Sequence, residues 1–549
     1  AGSSLFCGEI PEFDSSNQIN PAFSRALTVG DFSDLPAGFG PFGPTPPQSA
    51  QQQFETNSFF DNVTIPSGTE DLFDNFVDSP NGLGNTYRTW RNNLSLTADI
   101  GSGFTLDGVV SKGRFMNWGT FDSQYGAGAI PSFAGFINNT EDGSAEIRIT
   151  SPSNDKRLRY TFGVNYQTQD SASFQTAFNI LTTTESETLG IFGSADFDIT
   201  DEFTISGEGR YQDDEVDLLQ DGAPGSVFQV QSRGLKEFMP RVILSYQPEG
   251  LGLNLFGSWS QSYLPGNATG ATSYAAALLA GVQAVNPNAT QADTGFDAEA
   301  AGFFTPNQKL DAFEIGLKHE LSNKLRYSIS TYKMDWENQV FFVLSPSFVS
   351  LAQPGNSEYL GVEAEVEFKA TDWLSLEAGF NYVDGTFKDY IATGSVAASV
   401  LAPGTNSPPF PGANGTAGPI NNTTAISADG NQVRYNPSTT GTFSAEVALN
   451  DITNVESFLR ADVTYTGKFF IDNFEYNEVD AATRINLRAG AQINDTFGFE
   501  VFGTNITDNL TPTTQGGTTF TSFFNQNSRR FFSQAPRGAE YGVKLIATF

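Results

Sequence analysis

Positions 359 to 368 read Tyr-Leu-Gly-Val-Glu-Ala-Glu-Val-Glu-Phe. Leu360, Val362, Ala364, Val366 and Phe368 share one side of an extended chain, and Gly361, Glu363, Glu365 and Glu367 share the other, because successive strand side chains point to opposite faces. The next segment repeats the pattern. Leu374, Leu376, Ala378, Phe380 and Tyr382 alternate with Ser375, Glu377, Gly379 and Asn381, after a tight turn at Ala370-Thr371-Asp372. The same period governs Phe313 to Lys318, Leu459 to Tyr465, Arg484 to Ile493 and Tyr541 to Phe549. Further segments begin near Thr86, Phe104, Ala145, Leu158, Thr188, Phe203, Phe238 and Leu251. The whole chain holds about 17 such strands, each near the ~10 residues that a tilted membrane strand requires. Those starting at Leu325 and Thr439 are less regular and are expected to carry bulges.

The links between strands alternate in length. Short ones (101–103, 152–156, 199–202, 248–250, 322–324, 370–373, 450–455, 494–496) interleave with long ones (118–144, 170–187, 213–236, 261–309, 341–358, 387–438, 469–481, 507–537). One alternating segment fits any half-buried antiparallel sheet. A long series with parity in its links fits an up-and-down barrel in an outer membrane, with tight turns on one side and long loops on the other. The expected fold is therefore all-β, a transmembrane antiparallel up-and-down β-barrel over residues 86–549.

Composition narrows the chemistry. The 549 residues include 62 acidic and 29 basic ones, a formal net charge of −33. Such acidity excludes electrostatic binding of nucleic acid, which needs clustered Lys and Arg. One Cys forms no internal disulfide or thiolate cluster, and one His builds neither a multi-histidine metal site nor a bis-histidine haem. The mean hydropathy of −0.26 fits a barrel, since only alternate strand residues meet lipid. No apolar run approaches the roughly 18 residues of a membrane helix; the stretch 274–285 is too short. The opening Ala1-Gly2-Ser3-Ser4 has no signal-peptide character, so an export signal is expected to have been removed or to lie outside this sequence, and Cys7 is read as incidental rather than lipid-bearing. His319 sits with the lipid-facing set beside a short turn, no place for a catalytic triad. Neither a phosphate loop nor metal-ligand spacing appears, so the chain is not read as an enzyme.

From about Thr86 to Phe549 the chain resembles the barrel of TonB-dependent outer-membrane receptors, of the type abundant in aquatic and sphingomonad-like bacteria. The resemblance rests on Ala145-Glu146-Ile147-Arg148-Ile149-Thr150-Ser151-Pro152, Ala312-Phe313-Glu314-Ile315-Gly316-Leu317-Lys318, Gly361-Val362-Glu363-Ala364-Glu365, Phe502-Gly503-Thr504-Asn505-Ile506-Thr507-Asp508 and Pro536-Arg537-Gly538-Ala539-Glu540-Tyr541-Gly542-Val543. The stretches Thr200 to Thr204 and Gly209 to Tyr211 add to it. It implies a barrel of 22 strands, a plug domain in the lumen, and coupling through that plug to the inner-membrane TonB-ExbB-ExbD system. Neither plug nor TonB box is read in this sequence. Counted back from Phe549, the Thr86 segment becomes about the sixth strand, and residues 1–85 become a long extracellular N-terminal segment. Plug and first strands are then expected from a longer polypeptide or a second chain, with a reduced, plugless barrel as the third option. The ending Tyr541, Val543, Leu545 and Phe549 resembles the signal read by barrel-assembly machinery.

By the same resemblance the cell would be Gram-negative, the surrounding partners outer-membrane lipid and lipopolysaccharide, and the activity uptake of a scarce nutrient: siderophore-bound iron, a glycan or a vitamin-like ligand. A passive porin-like channel and a structural or adhesive surface barrel in a larger envelope assembly are the alternatives. Glu208, Glu363, Glu365, Glu367, Arg460, Arg484 and Arg488 alternate with the apolar set and are expected to face the lumen. Phe520, Phe523, Phe524, Arg529 and Arg530 gather aromatic faces and guanidinium groups in one loop, a composition that can stack on a ring or hold an anion, and equally that of an interfacial girdle. No cofactor is expected. Asp213, Asp214, Glu215 and Asp217 offer oxygen ligands for Ca²⁺ but lack EF-hand spacing, and are read first as a solvated loop.

Overall fold

The computed structural model describes residues 8–10, 84–122, 133–153, 157–175, 180–222, 229–266, 287–288, 290, 304–344, 350–393, 425–471, 473, 475, 477–511, 518–521, 529–532 and 537–548. Strand β1 is Gly8–Ile10, followed by β2 (Gly84–Asp99), β3 (Thr105–Asp122), β4 (Phe133–Thr150), β5 (Leu158–Gln175), β6 (Ile180–Asp198), β7 (Phe203–Gly222) and β8 (Gln229–Tyr246). Then come β9 (Leu253–Leu264), β10 (Gln308–Ser322), β11 (Leu325–Leu344), β12 (Ser350–Lys369), β13 (Leu374–Asp389), β14 (Ile391–Thr393), β15 (Ala425–Ser427) and β16 (Thr439–Ala448). After the one-turn helix α1 (Asn450–Thr453) follow β17 (Glu456–Thr466), β18 (Phe469–Phe470), β19 (Asn477–Val479), β20 (Ala482–Gln492), β21 (Phe497–Thr504), β22 (Thr518–Thr521), β23 (Arg529–Phe532) and β24 (Glu540–Ala547).

Seventeen of these strands form one barrel: β2 to β13, β16, β17, β20, β21 and β24. Neighbours in this order pair antiparallel at every one of the sixteen steps. Since each step reverses direction, β2 and β24 run the same way. The strand number expected from the alternation is thus met. The N-terminal segment 1–85 lies, apart from β1 and the start of β2, outside the described residues.

The register makes two kinds of row around the wall. Leu94 pairs with Val110, Val110 with Ala145, Ala145 with Tyr166 and Tyr166 with Leu189. One position away, Asn93 pairs with Ser111, Ser111 with Ser144, Ser144 with Gln167 and Gln167 with Thr188. The first row is the outer face: Leu94 is 73% exposed, Ile315 65% and Leu545 81%. Apolar area left bare on this scale would be costly in water, at about 25 cal/mol per Å²; facing lipid, it is the surface that holds the barrel in place. The described residues include no helix long and apolar enough to cross a membrane.

Four of the long links expected from sequence are mostly strand. Residues 118–144 contain the top of β3 and of β4, 170–187 those of β5 and β6, 213–236 those of β7 and β8, and 341–358 those of β11 and β12. The reason is that a ladder needs only backbone pairing, whereas apolar alternation needs lipid. Above the bilayer both faces meet water or other protein, the period-two signal fades, and the hydrogen bonds continue. Strands β3 to β8, β11 and β12 accordingly reach 18 to 20 residues, about twice the membrane requirement.

The bulge expected in the Leu325 segment is present. Residues Glu337 and Asn338 together oppose Asn356, with the register shifting between Trp336 and Gln339. Asn338 takes φ 53°, and its N–H donates to the Asn356 side chain at 2.9 Å. The Thr439 segment, β16, pairs without any shift, contrary to expectation.

Candidate functional site

Every lumen-facing residue anticipated from alternation sits on the inner face, and the register decides which charges meet. Arg460 pairs across with Glu446 on one side and Arg488 on the other. Two guanidinium groups side by side require counter-charge, and Asp462 supplies it. Arg460 Nε donates to Asp462 Oδ1 at 2.8 Å and Arg488 Nη2 to Asp462 Oδ2 at 3.1 Å. Arg460 also reaches Glu377 at 3.3 Å and Glu446 at 3.4 Å. Glu367 pairs with Arg326 at 2.9 Å, and Glu208 with Arg241 at 3.6 Å. Arg484 donates to the Thr511 carbonyl at 2.6 Å. On the β2–β4 arc, Arg91 meets Asp142 at 2.8 Å and Arg148 meets Asp107 at 3.3 Å. Single half-exposed pairs contribute about 0–1 kcal/mol. Their joint effect is a polar wall on which many of the charges are cross-linked.

Among the described residues, recesses open on this wall. One, about 840 Å³, is lined by Arg241 and Glu208, by Ser258 and Ser260 of β9, and by Glu314, Tyr332 and Glu363. Another, about 510 Å³, lies nearer the short turns and holds Lys318, Arg326, Glu365 and Glu367. The Tyr332 ring lies across Gly361, where any Cβ would collide with it. That glycine lets the aromatic ring lie flat against the wall, leaving the space beyond it open.

At the long-loop end, Phe341, Phe387, Tyr390, Ala428 and Val433 form a buried cluster with Tyr359 packed on it. Tyr390 stacks on Phe387 at 5.0 Å between ring centroids, with an interplanar angle of 24°. The segment after β15 is laced to the end of β13: Phe387 N–H to the Asn431 carbonyl, Gly430 N–H to the Phe387 carbonyl, and Ala428 N–H to the Tyr390 carbonyl, each 2.9 Å. The Tyr390 hydroxyl donates to Gln353 Oε1 at 3.2 Å. Burial pushes its phenol above the ordinary tyrosine value, against the opposing hydrogen bond with Asn473 and the charge of Arg434.

The aromatic–arginine loop is only partly placed. Strands β22 and β23 form a hairpin that sets Phe520 opposite Arg530 and Thr521 opposite Arg529. Phe523 and Phe524 lie outside the described residues, as do Cys7 and Phe549. Tyr541, Val543 and Leu545 lie on the outer face of β24. The acidic run is not a loop but part of β7, and its side chains diverge. Asp214 points inward, buried, and accepts from Thr188 and Gln212. Asp213 points outward to Lys236 at 3.0 Å. Among the described residues no three His, Cys, Asp or Glu side chains converge as a metal would need. His319 has both ring nitrogens engaged, Nε2 with the Leu251 carbonyl at 3.0 Å and Nδ1 with the Tyr327 hydroxyl at 2.8 Å.

Sequence alternation placed Asp462, Glu377 and Glu314 on the polar face without naming them as site residues, and did not single out Glu446, Arg241, Arg326 or Tyr332. All lie at inner positions of alternating strands, so parity could have found them. Their partners could not be read without the register.

An outward greasy belt, an inward ion-paired wall, tight turns at one end and extended strands at the other define an outer-membrane-type β-barrel. The chain belongs to the TonB dependent receptor-like β-barrel family, whose profile matches residues 18–529. Comparison with curated proteins finds no match. Among solved structures the fold is similar to the ferric yersiniabactin uptake receptor FyuA of Yersinia pestis (TM-score 0.63, 14% identity, 85% of this chain and 62% of that one). It is also similar to the siderophore receptor PiuA of Acinetobacter baumannii (0.60, 13%, 84% and 64%) and to the copper transporter OprC (0.58, 9%, 85% and 66%). The chain spans less than two thirds of the length of each.

Proposed function

We propose that this barrel is the membrane wall of an active importer. It takes up a scarce nutrient of the siderophore-iron, glycan or vitamin-like kind across the outer membrane of a Gram-negative bacterium. Lipopolysaccharide and phospholipid surround it, and the TonB-ExbB-ExbD system drives it through a plug in the lumen. The carrying observation is the wall itself. A cylinder of this many strands has a lumen too wide for its own side chains to fill, and here the wall is lined by cross-linked charges such as Arg460, Asp462 and Arg488. A wall of that kind suits a hydrated path or a polar insert. Family membership and neighbours described as uptake receptors support the same reading. The hairpin of β22 and β23, with Phe520, Arg529 and Arg530, is the proposed first contact for ligand, together with Phe523 and Phe524.

The test is uptake by intact cells. Cells carrying the gene should accumulate one of a panel of labelled ferric siderophores, oligosaccharides or corrinoids, and a protonophore should abolish that accumulation. Uptake that persists without proton-motive force would replace the reading with a passive channel.

A further inference from the structure

The wall is not stitched evenly. Strand β8 pairs with β7 over its whole length, Gln229 to Tyr246, and β9 pairs with β10 over its own, Leu253 to Leu264. Between β8 and β9 the ladder runs only from Tyr246 to Arg241, against Leu255 to Ser260. Above the Arg241–Ser260 rung no backbone hydrogen bond joins these two strands among the described residues. The break begins at Pro240, which has no N–H to give to a ladder. Higher up, a side chain ties the two sides together again: Arg233 of β8 donates to the Thr305 carbonyl and to the Asn307 side chain, just before β10. The wall thus has a window, bounded below by Arg241 and above by Arg233, roughly 26 Å long at the usual rise of a strand.

This window crosses the upper border of the lipid belt. On the outer face Phe238 is 56% exposed and Phe313 51%, with Trp259 beside Phe313 at 6.5 Å between ring centroids. Just above them Lys236 meets Asp213 at 3.0 Å, where apolar positions give way to charge. Residues of both faces edge the gap: Arg241 and Ser260 from the inner side, Pro240 and Gln261 from the outer side. The free edges of two strands are therefore brought to the level where lipid meets water. Unpaired backbone groups are costly beside lipid and template an outside partner.

We propose that the window is a binding site for an amphiphile presented from the outer leaflet, with an alkyl chain and an uncharged head rich in hydroxyl or amide groups. The head hydrogen-bonds the free edges of β8 and β9. The chain lies down the outer face over Phe238, Trp259 and Phe313, below the charged positions. Lys236 and Asp213 neutralise each other, so the border asks for no ionic head. The site is set by the ladder between two wall strands and its apolar side faces lipid. It depends neither on what fills the lumen nor on whether passage is driven.

Photolabelling of the purified full-length receptor in phosphatidylcholine nanodiscs tests it. The probes are a monoacylglycerol with a diazirine in its chain and a phosphatidylcholine carrying the same chain, with adducts mapped by peptide mass spectrometry. The monoacylglycerol should label the Phe238–Arg241 and Trp259–Leu264 peptides at least about fivefold more (about 1 kcal/mol) than those holding Tyr166 and Leu189, where the ladder is closed. The phosphatidylcholine should show no such excess. With Cys7 replaced by Ser, Met239→Cys and Ser262→Cys can be joined by a disulfide or a short bismaleimide, which should abolish the excess by closing the window. Phe238→Ser should reduce it. Labelling spread evenly over the outer face, an excess that survives closure, or edges left unlabelled because protein covers them overturns the proposal. No energy source is present, so a negative result leaves driven uptake standing, and failed uptake in cells leaves this site standing.

Discussion

Asn338 decides which face Phe341 occupies. By simple alternation Phe341 would share the outer face with Lys333 and Asp335, but the two-for-one step opposite Asn356 moves it inward. There it meets Phe387 edge-on, with ring centroids 5.0 Å apart. The step depends on a left-handed residue, φ 53°, which Asn tolerates and β-branched residues do not. Asn338→Val should destabilise the folded barrel by about 1–2 kcal/mol, whereas Asn338→Gly should cost far less. Urea unfolding in lipid vesicles, followed by tryptophan fluorescence, measures the difference. Equal effects of the two substitutions would remove the backbone from the explanation.

Asp462 neutralises two arginines at once, so its removal should cost more than a single surface pair. Asp462→Ala should lower stability by about 1–3 kcal/mol, since both Arg460 and Arg488 lose their closest carboxylate while still facing each other across β17 and β20. The triple variant Asp462→Ala/Arg460→Leu/Arg488→Leu should recover part of the loss. The same unfolding assay in vesicles reads both values.

Tyr390 should make the long-loop end sensitive to alkali. Its folded pKa is raised by burial above the ordinary value near 10. Above that value the unfolded chain releases a proton that the folded chain keeps, so the contribution present at neutral pH falls as pH rises past 10. In a spectrophotometric titration at 295 nm, Tyr390→Phe should remove one late-titrating phenol, and its stability should decline less between pH 10 and 11 than that of the wild type.

Strand number, strand order and the two faces of the wall were legible because lipid imposes one rule on every second residue. Leu360 to Phe368 and Ile485 to Ile493 state it plainly. Where lipid ends, the rule ends, and the upper halves of β4, β6 and β8 read as loop although their ladders continue. The mouth cluster escaped for a different reason. Phe341, Phe387, Tyr390, Ala428 and Val433 come from segments up to about ninety residues apart, brought together by a bulge and by backbone lacing that no local pattern records. On the inner wall the residue types were legible and their partners were not. Whether Arg460 meets Glu377, 83 positions away, depends on the register of two strand pairs, β13–β16 and β16–β17.

Accessibility to a water-soluble maleimide tests the central claim most directly, with Cys7 replaced by Ser and single cysteines placed in turn at Ile315 and Ile147 on the outer face and at Ser330 and Ser144 on the inner one. In outer-membrane vesicles permeable to the reagent, Ser330→Cys and Ser144→Cys should be labelled, and Ile315→Cys and Ile147→Cys should react only with a lipid-soluble maleimide. Labelling of all four by the water-soluble reagent to the same extent would contradict a barrel with lipid outside and water within.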